Sequence, residues 1–228
     1  MRRTLNVIRL QLINKGTFIW YPLVILAGAV LISVLIYAMI PIDQPKYGGG
    51  GQAPLWYFFA IGMSAMTLTF PFSQAMSITR REFFLGTMLT AILGSALMGA
   101  LFLIGGGIEM LTNGYGVNGY VFHLPWLWEA GPLGAFVVYF TLALFFFVVG
   151  FTGATIFKSW GQMVLLIASF AVVLLILGLV FLVTRLEAWG QVWEGILALG
   201  AVGLALWGLV VVALLSVISF LAFRRTIP

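Results

Sequence analysis

The chain has 228 residues, 63% of them hydrophobic and only 7% charged, with a formal net charge of +5. A soluble domain needs about 25% charged residues to cover its surface, so the solvent for most of this chain is lipid. The absence of cysteine excludes a disulfide framework, a thiolate metal site and a cysteine nucleophile, and the basic residues lie in short runs beside apolar stretches, which is a topology signal and not a nucleic-acid footprint.

In chain order, residues 1–16 carry Leu5, Ile8 and Leu12 on one helical face, with Arg3, Asn6 and Asn14 roughly opposite; Val7 and Leu10 spoil the polar face. This reads as a helix lying at the cytoplasmic interface or, equally, as a solvated basic tail. Six apolar stretches follow, each long enough for the ~20 residues a spanning helix needs: Phe18–Ile40, Leu55–Ile78, Phe83–Ile108, Leu133–Phe157, Gln162–Val183 and Ile196–Ala222. As drawn, none contains Asp, Glu, Lys, Arg or His. The first is too long for the apolar core of a cleavable signal peptide and reads as an anchor that stays.

Orientation follows from the basic residues. Arg2, Arg3, Arg9, Lys15, Arg80, Arg81, Lys158, Arg224 and Arg225 fall on one side of the six spans, and only Lys46 and Arg185 on the other. The richer side marks the cytoplasm. The expected fold is therefore all-α: six transmembrane helices with both termini inside, forming a single transmembrane domain over residues 1–228, multi-pass in a plasma membrane.

The outer connections differ in character. Residues 41–54 hold four consecutive glycines and three prolines, the composition of a flexible loop. Residues 109–132 carry Tyr115, Tyr120, Phe122, Trp126 and Trp128, rings expected at the headgroup level. Residues 184–195 place Leu186, Trp189 and Trp193 at helical spacing, as in a short helix resting on the outer interface or dipping in from it. Pro71 should kink the second span, and Gly105, Gly106 and Gly107 should loosen the outer end of the third. Ala91, Ser95 and Gly99 form one small-residue ridge; Gly200, Ala201, Gly203 and Ala205 form another. No internal repeat is visible, so an inverted-repeat transporter gains no support.

The spans offer little chemistry. An ion-coupled transporter usually holds an ionisable group in the membrane; these do not, which disfavours that class, although a sodium site can be built from carbonyls and hydroxyls alone, and favours uphill transport powered by another chain. The nearest approach to a phosphate-binding loop, Gly153 through Lys158 and Ser159, has Phe157 where a glycine must stand before the lysine. An intramembrane hydrolase would need a nucleophile with a base, and the only pair on offer is Ser64 with His123, the sole histidine, at different expected depths. No histidine–carboxylate cluster suggests a metal.

The most distinctive segment joins the second and third spans: Ser73-Gln-Ala-Met-Ser-Ile-Thr79-Arg80-Arg81-Glu82-Phe83-Phe84-Leu85-Gly86-Thr87. Paired arginines, one acid and then aromatics make a short amphipathic element or, on composition alone, a plain basic turn. The run from Thr79 to Thr87 resembles the signature of the type-2 ABC exporter permeases, also called type V exporters. The six spans, the basic N-terminal segment and the outer element between the last two spans match that family's architecture. The resemblance implies that this turn is a coupling helix docking on a separate nucleotide-binding ATPase subunit, with Thr79, Arg80, Arg81, Glu82 and Phe83 transmitting its closure. It also implies that ATP and Mg are bound by that partner and not by this chain, that two permease copies act together, and that the N-terminal helix touches the ATPase. The expected cargo is hydrophobic or amphipathic: a drug, a peptide antibiotic or a lipid. A non-transporting assembly or immunity protein and a Ser64 hydrolase are the alternatives from other classes.

Overall fold

Backbone groups in lipid can find partners only within their own segment, so long apolar runs fold as helices. The computed structural model describes residues 2–224. Helix α1 (Arg2–Ile13) leads into the first span, Gly16–Met39, made of a π-turn and α2 (Tyr21–Met39). The second comprises α3 (Ala53–Ser64), a π-turn and α4 (Phe70–Ala75); the third is α5 (Arg80–Leu111). After a short helix, α6 (Pro125–Trp128), come α7 (Gly131–Trp160), α8 (Gln162–Arg185) and α9 (Trp189–Phe223). Six of these helical stretches are long and apolar enough to cross a membrane, and each overlaps one expected span.

The ends differ from expectation. α5 takes in Arg80, Arg81, Glu82 and Glu109, α7 takes in Lys158, and α9 takes in Glu194, so the helices are free of charge only along their middles. Proline explains the two π-turns. Its ring collides with the carbonyl four residues earlier, and one wider turn relieves the clash. The Tyr21 N–H bonds to the Gly16 carbonyl just before Pro22, and the Phe70 N–H bonds to the Ala65 carbonyl just before Pro71. Pro71 thus deforms the second span as expected, and Pro22 does the same in the first.

α7 is the hub, flanked by α3, α5 and α9. Phe147, Val148 and Phe151 on it are at most 1% exposed. Its tightest crossing is with α3. A Cβ added to Gly62 would strike the Phe147 backbone, and one added to Gly150 would strike the Phe59 backbone. The ridge of Ala91, Ser95 and Gly99 is buried within the bundle, Gly99 lying against Phe136 and Phe140 of α7. Ala201 and Ala205 pack against Val138. α8 differs from all of these: not one of its residues is buried.

α9 is broken at Gly200, whose φ of 62° and ψ of −179° lie in a region open to glycine alone. The first piece, residues 189–199, is the helix anticipated after the fifth span, although it extends further than residue 195. α1 docks on α5 through Val7, Ile8 and Gln11, all buried, and the Gln11 amide donates to the Thr87 hydroxyl at 2.8 Å. Val7 therefore belongs to the packed face. The side chains of Arg3, Leu5 and Leu12, like Arg225, lie outside the described residues.

At the other end of the bundle the glycine-rich loop is not loose. Lys46 and Tyr47 pair in parallel with Gly119 and Tyr120. The Lys46 ammonium donates to the carbonyls of Tyr37, Ile40 and Val117 at 2.8–3.2 Å, capping α2. A Cβ on Gly48 would collide with Tyr37, and one on Gly50 with Ser33; these glycines serve close packing. Gly105 and Gly106 likewise make room for Phe122 and Trp128 in an unbroken α5. Phe122, expected at the headgroups, is 3% exposed and packs against Phe102 with ring centroids 4.9 Å apart.

Candidate coupling site

The segment singled out by its arginines is a four-residue turn, Met76 to Thr79, between α4 and α5, with no separate amphipathic helix. Its two halves are caps back to back. Ser77 adopts φ 55°; the Ile78 N–H reaches the Ser73 carbonyl and the Ser77 N–H the Gln74 carbonyl, which is the Schellman pattern that ends a helix. Buried Ile78 supplies the apolar contact of that motif. Thr79 then opens α5: its hydroxyl accepts from the Glu82 N–H, while the Glu82 carboxylate accepts from the Thr79 N–H at 3.1 Å, a complete capping box. Thr79→Ala is expected to cost about 1 kcal/mol of local stability, seen as faster amide exchange at Glu82 and Phe83; unchanged exchange there would refute the cap.

The five sequence candidates divide by role. Thr79 and Glu82 hold the turn together. Arg81 is exposed. Arg80 is half-buried and donates to the Arg224 carbonyl at 2.7 Å, so a cation sits at the C-terminus of α9, where it is favoured. Phe83 is fully buried and presents no surface to a partner. It packs between Phe70 of α4 and Phe223 of α9, with ring centroids 5.3 and 5.9 Å away. Phe70 also lies beneath the Lys158 ammonium, 5.0 Å from its ring centre. One aromatic knot therefore ties the turn to the second and sixth spans.

Sequence reasoning counted Arg224 only as a topology charge and did not join it to Arg80; no local signal links residues so far apart. It also left Gln11 out of the packed face of α1. The hydrolase pair is not assembled. The Ser64 hydroxyl donates to the Ala60 carbonyl four residues back, and His123 lies in the loop between α5 and α6 with its ring against Trp128, 4.8 Å between centres.

The largest omission is Glu109, read as an outer-loop acid. It lies within α5, fully buried. Its carboxylate accepts the backbone N–H groups of Val121, Phe122 and His123 at 2.7–3.2 Å. Burial first, then the Glu109 charge and hydrogen bonding with it, push the neighbouring Tyr115 hydroxyl above the usual tyrosine range.

The chain is thus all-α with the build of a multi-pass membrane protein, carrying one doubly capped, arginine-bearing turn beside the end of α9. No model of a known protein family, no curated protein and no solved structure matches it.

Proposed function

We propose that this protein is the membrane-spanning permease subunit of an ATP-driven exporter, working beside a second copy and moving a hydrophobic or amphipathic substrate with ATP and Mg held by a separate nucleotide-binding subunit. The observation that carries the reading is the turn at residues 76–82. It is capped from both sides, offers Arg80 and Arg81 to a partner, and is fastened through Phe83 to α4 and α9. A push delivered to the arginines would move the ends of three spans together, biasing one arrangement of the bundle over another. Guanidinium groups suit charge-assisted contacts with carboxylates on the partner. α1, docked on the first turns of α5, would ride with the turn and add Arg9 to the same surface. The cytoplasm then lies at this basic end, in line with the positive-inside rule.

The test is affinity purification in mild detergent. The wild-type chain is expected to bring down a nucleotide-binding ATPase, and the double variant Arg80→Ala, Arg81→Ala to lose most of it while eluting as the same bundle. A wild-type chain that captures no ATPase, or a double variant that captures it undiminished, defeats the assignment.

A further inference from the structure

The outer half of the α7–α9 contact leaves a cleft. Ala201 and Ala205 hold α9 to α7, and further along Gly208 comes close to the Thr141 methyl group. Between these points lies a space of about 330 Å³, walled by Leu127 of α6, Val138, Leu142 and Phe145 of α7, and Leu204 of α9. At the Gly200 break a second hollow, of about 210 Å³, is bounded by Glu129 and residues 197–202. Trp126 and Ala201 border both, so the two form one cleft from exposed Glu129 inward to Thr141.

Two groups along this cleft do nothing evident for the fold. Glu129 is exposed, with no cation paired to it among the described residues. Trp126 is 43% exposed and offers the ring type best suited to holding a cation. The surroundings share this sign: Asp43, Glu129, Glu187 and Glu194 fall at this end against only Lys46 and Arg185; the Lys46 ammonium is engaged by three carbonyls, as the buried Glu109 carboxylate is by three amides.

We propose that the cleft binds a monocationic amphiphile, its charged head against Glu129 and Trp126 and its apolar body between Val138, Leu142 and Leu204. As the class of cargo this rests on the export reading; as a binding site it does not. Ethidium, a planar monocation bearing aromatic amines, is the probe. It is titrated onto the purified chain in nanodiscs of zwitterionic lipid, without ATP or any ATPase, and uptake by protein-free discs is subtracted. Saturable binding is expected. Glu129→Gln and Trp126→Leu should each weaken it by about threefold or more. Trp20→Leu, an exposed tryptophan on the first span, should leave it unchanged. Uptake equal to that of empty discs, saturable binding that neither cleft variant weakens, or equal affinity for an anionic naphthalene sulfonate dye would each overturn the proposal. A wild-type chain that captures no ATPase while its ethidium binding is intact would count against the export reading alone.

Discussion

Glu109→Ala is expected to release the loop between α5 and α6 and cost about 3–5 kcal/mol, because three backbone N–H groups at Val121, Phe122 and His123 would be stranded in a buried site, at about 1–3 kcal/mol each. A buried carboxylate is ordinarily a liability without a cation. Here four short contacts from three consecutive amides take the cation's place. The same clasp sets Phe122 into the core, where its carbonyl accepts from the Trp128 indole at 2.9 Å and from the Tyr139 hydroxyl. Glu109→Gln keeps the shape but turns one acceptor atom into a donor, so it should fall between wild type and alanine. Thermal unfolding in detergent and amide exchange at residues 121–123 measure both effects. An alanine variant with wild-type exchange at those amides would show that the carboxylate does not hold the loop.

The second large effect is expected at the α3–α7 crossing. Helices in lipid gain little from apolar burial and associate through close packing, which small residues permit. At Gly62 and Gly150 each helix meets the other's backbone, and a backbone cannot rotate aside as a side chain can. Gly62→Val or Gly150→Val should force the hub helix away from the second span, with a loss of about 3 kcal/mol or more. Gly153, one turn further along α7, has open space around it, and valine there should be tolerated. Similar unfolding midpoints for Gly150→Val and Gly153→Val would contradict the crossing.

The apolar runs and the basic residues made the helices and their shared basic end legible, because a bilayer imposes length and composition directly. Depth at the ends was less legible. Glu109 looks like a loop residue until the amides of residues 121–123 fold back onto it, and nothing near it in sequence announces that return. The four glycines after Tyr47 carry two meanings, freedom or close approach, and only Tyr37 and Ser33 on the neighbouring helix decide between them. Of the candidate site, the capping box was written in Thr79 and Glu82 at the right spacing. The burial of Phe83 required knowing that Phe70 and Phe223 converge on it. Whether Arg80 and Arg81 meet an ATPase is a matter of a second chain.

α8 buries none of its residues, and α7, its neighbour on the chain, finds a major partner in the final helix. During synthesis, therefore, the fourth helix must wait in the bilayer with one flank bare while the fifth and sixth are made. The buried bond between Thr152 and Ser219, at 2.6 Å, can form only once residue 219 has left the ribosome. Until then the Thr152 hydroxyl has its own helix carbonyl for company. The fifth helix acts as a tether: its sequence answers to lipid solubility more than to shape, and the last helix closes the fold.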